Sequence, residues 1–167
     1  RCGCGTGLSG SAVMMKVEDV LSLSPKVVSS ALASLWRPIS GGLTAPLGFQ
    51  AAGITAGLKE SGKPDLALLL APEGAVCAGT FTTSLVRAAC VDLCADRLKA
   101  AGGIARAVLT NSGQANACTG DRGMQDSLQA TQRLAEQLGL PVEQVLICST
   151  GVIGVPIPMD TLLAGLN

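Results

Sequence analysis

Two tripeptides carry residue types able to meet developing negative charge: Asn111-Ser112-Gly113 and Ser149-Thr150-Gly151. Each follows an apolar run of strand length, Ile104 to Thr110 in the first case and Val145 to Cys148 in the second. At the C-terminal end of a strand, backbone N–H groups lack ladder partners and can point at a ligand oxygen, and a glycine lets that ligand come close. In Thr150-Gly151 a hydroxyl and a flexible backbone N–H stand side by side. These are the two donor types that hold the oxyanion of a tetrahedral acyl-transfer intermediate. Ser112, Ser149 and Thr150 could instead act as nucleophiles, but no base lies near any of them in sequence. Turns after strands are usually only turns, so spacing alone leaves both the oxyanion role and the plain turn open.

Composition removes most other chemistry. None of the 167 residues is histidine, so a Ser-His-Asp triad, a Cys-His pair, a Cys2His2 zinc site and an imidazole general base cannot form within this chain. Gly5, Gly7 and Gly10 match G-x-G-x-x-G, but four residues are too few to build the strand that must feed such a turn. Neither a phosphate-binding G-x-x-x-x-G-K-[ST] nor a G-x-S-x-G elbow occurs. Twelve Lys plus Arg, scattered and balanced by twelve Asp plus Glu, supply no electrostatic footprint, and no nucleic-acid partner is expected. The longest apolar run, Leu66 to Ala71, is far short of the roughly 18 residues that span a bilayer, so no membrane partner is expected either.

Seven cysteines, at positions 2, 4, 77, 90, 94, 118 and 148, form an odd set that suits a reducing compartment. Cys77, Cys118 and Cys148 border apolar stretches and are expected as small buried hydrophobes, and no metal or cofactor is expected.

The elements that must position the two tripeptides follow from periodicity. Asp65–Ala71 and Val76–Thr82 are apolar runs separated by Pro72 and Gly74, which predicts an antiparallel pair joined by a turn. Ala88–Leu93 reads as a third, weaker strand and Asp96–Ala101 as a short helix closed by Gly102 and Gly103. After the strand Ile104–Thr110 and a polar turn comes the clearest helix. Thr119 or Asp121 can cap it, Met124, Leu128, Thr131, Ala135 and Leu138 share one face, and Gly139 with Pro141 stops it. Val145–Cys148 is a buried strand, and a last helix starts at Met159–Leu163.

Four ordered blocks then narrow the reading. GGLTAPLGFQAAGITAGLKESGKPDLALL from Gly41, AGTFTTSLVRAACV from Ala78, LTNSGQANACTGDRG from Leu109 and LICSTGVIGVPIPMD from Leu146 together resemble the glutamate N-acetyltransferase (ornithine acetyltransferase) family of arginine biosynthesis. The resemblance runs from about Ile39 to Asn167. It implies an α/β fold of the layered αββα, self-processing N-terminal-nucleophile kind. A precursor would cut itself before a threonine whose own α-amine serves as base, a scheme that needs no histidine. The acetyl group would pass from N-acetylornithine through an acyl-enzyme to glutamate, with acetyl-CoA as a further donor left open. By match to S-T-G-V-I-G, the oxyanion donors are Thr150 and Gly151. The implied partners are those small molecules, the self-cleaved second chain and an oligomer of such pairs.

The chain departs from the family pattern at several positions. Leu47 and Gln50 stand where basic residues are common, Leu85 replaces an arginine, Cys90 a proline and Gln114 an asparagine. The family's substrate-binding threonine and lysine, its processing segment and its nucleophile would all lie beyond Asn167, so the nucleophile is not in this chain, which is expected to be inactive alone. Two other readings are a related self-processing aminopeptidase and a noncatalytic regulatory or binding fragment. Residues 1–38, rich in Ser, Gly and Val and mostly basic in charge, read either as a segment of organelle-transit type or as a poorly ordered leader or short packing helix around Val17 to Leu23, and residues 39–167 as the N-terminal part of the acetyltransferase first-chain domain. A plastid stroma is the expected location, with the mitochondrial matrix or cytoplasm as alternatives.

Overall fold

The computed structural model describes residues 39–167. The G-x-G-x-x-G glycines, Cys2, Cys4, the 1–38 leader and the helix around Val17 to Leu23 lie outside the described residues. Four strands, β1 (Gln50–Ile54), β2 (Leu66–Val76), β3 (Ile104–Gln114) and β4 (Val145–Val152), form one sheet in the order β1-β2-β3-β4. The first two pairings are antiparallel, and β3 with β4 is parallel. Three helices accompany them: α1 (Ala89–Ala100), α2 (Gly120–Leu138) and α3 (Met159–Gly165). Parallel neighbours need a long crossover, and α2 provides it between β3 and β4.

Alternation along β3 decides which face is buried. Ala105, Ala107, Leu109 and Asn111 are buried, while the residues between them are only half so. Register extends that face across the sheet: Leu66 pairs with Asn111, Leu68 with Leu109, and Leu109 in turn with Ile147. The same cluster includes Leu93 of α1, Ala130, Leu134 and Ala135 of α2, and Leu162 of α3. Helices therefore cover one face of the sheet, and Leu69, Val108 and Thr110 lie on the other, half-buried.

Several sequence expectations change. Val76–Thr82 is not a strand, and no hairpin turn forms at Pro72 and Gly74; β2 runs on through both to Val76. The pairing with β3 instead shifts register between Leu70 and Ala75, a bulge that absorbs the proline and places Gly74 at φ 85°. Arg106 donates to the Pro72 carbonyl there. Ala88–Leu93 is not a strand either. It merges with the segment from Asp96 into α1, because Cys90, Leu93, Cys94 and Arg97 recur at spacings of three and four and are all buried. The strand β1 was not expected from its short QAAGI sequence, which is exposed throughout. In α2 the buried stripe passes through Gly123, Ser127, Ala130, Thr131, Leu134 and Ala135, and Leu128 is exposed. Polar members, Ser127 and Thr131 among them, hid that stripe from a hydrophobic count. Neither Thr119 nor Asp121 caps the helix, since no side-chain cap bond forms and Thr119 donates to Asn116 Oδ1 instead. Gly139 does end it, in the left-handed conformation. Cys118 and Cys148 are exposed and Cys77 is half-buried, whereas Cys90 and Cys94 are the buried thiols.

One buried charge organises the open end of the sheet. Asp65, 3% exposed, accepts from the amides of Ala56 at 2.7 Å, Gly57 at 3.2 Å and Lys59 at 2.9 Å. Its own N–H donates to Ile54 and its carbonyl accepts from Ser112 N–H, so it joins β1, β3 and the 55–59 loop. Burial pushes the carboxyl up, but the amides of Lys59, Ala56, Leu58 and Gly57 outweigh it and hold the pKa below 3.8. Asp65→Ala should lower the unfolding free energy by about 3 kcal/mol near neutral pH, since it strands several amide donors. A group with a depressed pKa stabilises above its unfolded value and loses that effect on protonation. Urea unfolding should therefore show the gap between wild type and variant narrowing below about pH 4.

Candidate functional site

Both glycine tripeptides lie in strands, not in turns. β3 continues through Asn111-Ser112-Gly113 to Gln114, and β4 continues through Ser149-Thr150-Gly151 to Val152. Parallel register sets Asn111 beside Ser149, Ser112 beside Thr150 and Gly113 beside Gly151. The structure thus brings the two candidate segments together rung by rung, which their 38-residue separation in sequence does not reveal.

Glycine is required at the third rung. Gly113 has φ 136° and Gly151 φ 134°, values that side chains rarely permit. A Cβ on Gly151 would collide with the Gly113 carbonyl and come within 2.7 Å of the Gln114 nitrogen. On Gly113 it would meet the Leu58 carbonyl oxygen at 2.9 Å. Two backbones and a loop close on this point, and only hydrogen atoms fit between them.

The direction of the Gly151 N–H follows from the ladder. Backbone groups of successive strand residues point alternately to the two sides. Val152 turns toward β3, because its carbonyl accepts from Ala115 N–H at 2.9 Å. Ile147 turns away, because its N–H and C=O both meet the Cys94 thiol of α1. Gly151 shares the parity of Ile147, so its N–H leaves the sheet at the outer edge of β4, where no acceptor meets it among the described residues. The expected reason for unpaired donors, the end of a strand, does not hold: both tripeptides lie within strands, and Gly151 faces an edge that is open among the described residues. Thr150, next along, is exposed, as is Gly151. A hydroxyl and an amide N–H that both lack a partner among the described residues can bind one oxygen carrying negative charge.

Side chains behind this edge are buried and polar. Asn111, 0% exposed, donates from Nδ2 to the Gln114 carbonyl at 3.0 Å, and Gln114 Nε2 donates to the Leu58 carbonyl at 3.0 Å. Asn116, also fully buried, takes φ 51° and donates to the Gly123 carbonyl at 2.8 Å and Ser127 Oγ at 2.9 Å. It locks the turn between β3 and α2. Sequence reasoning missed Asn116 as a structural hub, although asparagine tolerates positive φ better than most residues and so offered a signal. Of the positions that depart from the family pattern, Leu47 and Leu85 are 99% and 98% exposed, Gln50 is exposed at the start of β1, and Cys90 is buried. None of these is at the Thr150-Gly151 edge, and Gln114 reaches the Leu58 loop behind it.

Comparison with known proteins places this geometry. The ArgJ family profile matches residues 50–167. The chain belongs to the ArgJ family. It is 84% identical over 154 residues to the arginine biosynthesis bifunctional protein ArgJ of Prochlorococcus marinus strain MIT 9313, covering 92% of this chain and 36% of that protein. The corresponding ArgJ protein of Parasynechococcus marenigrum strain WH8102 is 72% identical over 143 residues, 86% of this chain and 35% of the relative. The chain therefore spans about a third of the length of these ArgJ relatives. Among solved structures, Bacillus halodurans ArgJ superposes with TM-score 0.71 at 37% identity over 75% of this chain and 65% of that one. Ornithine acetyltransferase from Mycobacterium tuberculosis, solved with ornithine, superposes with TM-score 0.70 at 44% identity over 75% and 67%. The α/β sheet with its helix layer is thus part of the layered αββα fold of ArgJ structures.

The glycine rung makes a graded prediction. Gly139 is left-handed with open space around its Cβ position, so Gly139→Ala should destabilise by about 1–2 kcal/mol, the left-handed strain alone. Gly151→Ala adds a collision with the β3 backbone and should lose distinctly more, about 3 kcal/mol or above, in thermal unfolding.

Proposed function

We propose that the complete protein transfers an acetyl group from N-acetylornithine to glutamate, and that this chain supplies the oxyanion site of that reaction. The observation that supports the reading is the outward-facing Gly151 N–H, without an acceptor among the described residues, beside the exposed Thr150, in a chain of the ArgJ family. The name of the Mycobacterium tuberculosis neighbour, an ornithine acetyltransferase solved with ornithine, fits the same substrate class.

The chemistry divides between this chain and the rest of the protein. A threonine outside residues 1–167, made N-terminal by self-cleavage, attacks the acetyl carbonyl of N-acetylornithine through its hydroxyl oxygen, and its α-amine takes the proton. As the C–O bond forms, the carbonyl oxygen becomes an oxyanion, which Thr150 Oγ–H and Gly151 N–H receive. Collapse of the tetrahedral intermediate breaks the C–N bond, and the held proton leaves with ornithine. The amine of glutamate then attacks the acyl-enzyme carbonyl and gives its proton to the α-amine, the same donors hold the second oxyanion, the C–O bond to the threonine breaks as that oxygen takes the proton back, and N-acetylglutamate departs. Whether acetyl-CoA also acylates the threonine is a question for the same assay. The resulting assembly is an oligomer of paired first and second chains. No step requires histidine, in keeping with its absence here.

For the location, a cytoplasmic reading draws support from the relatives. The match to the Prochlorococcus protein takes in 154 residues of this chain, whereas residues 39–167 number 129, so at least 25 residues of the 1–38 segment have a bacterial counterpart. That favours the cytoplasm over a plastid. A reporter fused to the complete N-terminal extension should stay diffuse in the cytosol of a plant cell, and import into plastids would restore the transit reading.

In the complete enzyme, Thr150→Ala should lower kcat by about 10²–10³, the usual loss on removing one oxyanion donor, with KM and folding little changed. An unchanged kcat in a steady-state acetyl-transfer assay would sink the assignment.

A further inference from the structure

β4 is an edge strand among the described residues, and its outer edge is handled in two different ways along its length. Residues of one parity, Val145, Ile147, Ser149 and Gly151, turn their backbone groups outward, away from β3. At the first two rungs α1 meets them with side chains. Arg97 Nη1 donates to the Val145 carbonyl at 2.5 Å. The Cys94 thiol donates to the Ile147 carbonyl at 3.1 Å and accepts from Ile147 N–H at 3.4 Å. Beyond Ile147 no α1 side chain bonds to the strand, and the bare stretch that follows contains Gly151. The protected edge stops where the proposed oxyanion edge begins.

We propose that Cys94 and Arg97 are positioning residues for the Thr150-Gly151 donor pair, clamping the outer edge of β4 so that its free end is held at the correct advance along the sheet. The proposal rests on the oxyanion reading above. A thiol that gives to a carbonyl and takes from the amide of the same residue resists sliding of β4 in either direction. The glycine rung forbids a slip of a whole residue, but with no side chain on Gly113 or Gly151 to pack it does not hold the strand against smaller shifts. The ladder to β3 holds only one side of the strand, through bonds such as Ala115 N–H to the Val152 carbonyl. Only the neutral thiol can donate, and burial, partly offset by the Ile147 amide, raises the Cys94 pKa and keeps it neutral. Both residues are buried, Arg97 at 6% and Cys94 at 8% exposure, so neither is available to touch a substrate.

The test uses the complete, self-processed enzyme and the acetyl-transfer assay. Cys94→Val keeps bulk but removes both hydrogen bonds, Cys94→Ser keeps a donor and an acceptor, Thr150→Ala removes a proposed oxyanion donor, and Leu134→Ala is a core control on α2. A misplacement of about 1 Å can cost on the order of 10²-fold in rate, so partial loosening in Cys94→Val should lower kcat about ten-fold with KM within about two-fold. Cys94→Ser should restore most of the loss. Leu134→Ala should lower Tm at least as much as Cys94→Val while leaving kcat near wild type. In the double variant with Thr150→Ala, the Cys94→Val effect should shrink, because one of the donors it positions is gone. A slow Thr150→Ala beside a normal Cys94→Val overturns the clamp alone, as does a Cys94→Val loss that Cys94→Ser fails to restore. An unaffected Thr150→Ala overturns the oxyanion reading and the clamp with it.

Discussion

The rung at which Gly113 faces Gly151 is the constraint from which the rest of this end of the molecule follows. Two parallel strands approach there so closely that any side chain on Gly151 would occupy the Gly113 carbonyl, and both residues adopt φ values near +135°. Such a contact demands that register be fixed, because a slip of one residue would bring Ser112 or Thr150 into a space that takes only hydrogen. Register in turn fixes parity. With Val152 bonded toward β3, Gly151 must direct its N–H outward, and the exposed Thr150 lies beside it. The catalytic reading of the site is a consequence of how the strands fit.

Two separate devices hold the rung from its two sides. On the β2 side, the Asp65 carboxylate gathers the amides of the 55–59 loop, which places the Leu58 carbonyl against the hydrogen of Gly113 and within reach of Gln114 Nε2. That loop would otherwise carry buried amides without acceptors, and a carboxylate with two oxygens satisfies several at once. Along the β4 edge, α1 replaces a missing strand with side chains, a thiol and a guanidinium where another β ladder would stand. Edge strands are ordinarily covered or charged along their length. Among the described residues the cover is partial, and the part left open coincides with the residues that match the S-T-G-V-I-G motif.

How much of this was legible in the sequence depends on the scale of the interaction. Local chemistry was readable: Gly139 stops α2 because it needs no Cβ in the left-handed region, and the apolar cores of β3 and β4 stood out as runs. Thr150 and Gly151 could be singled out as candidate donors from residue type, and the family resemblance implied an oxyanion role for them. Partner-dependent features were not readable. Pro72 and Gly74 signal a turn in isolation, but β3 continues past them and converts the turn into a bulge within β2. Val91 and its neighbours suit a strand until Arg97 and Cys94 find the backbone of β4, 48 and 53 residues away in sequence, and the segment becomes helical instead. Likewise, polar residues such as Ser127 and Thr131 look solvent-facing until Asn116 and the helix's own carbonyls are seen to satisfy them.

Placing oxyanion donors on a strand edge has a physical advantage over placing them in a turn. Stabilisation of a developing charge is largest when the donors are already oriented, so that none of it is spent on reorganisation as the charge forms. A turn glycine is free to rotate, whereas Gly151 is held on both sides along the chain: upstream, Ile147 is fixed to α1 and, downstream, Val152 is fixed to β3. The price is an unusual backbone conformation at two adjacent glycines, which stability must absorb elsewhere. Burial of Leu109, Ile147 and Val145 along the same two strands contributes stability that offsets it. Neutral donors also leave the protonation chemistry untouched, since neither a threonine hydroxyl nor an amide titrates near neutral pH. In the proposed reaction the base lies outside this histidine-free chain, and an oxyanion site of this kind would neither compete with it nor perturb its charge.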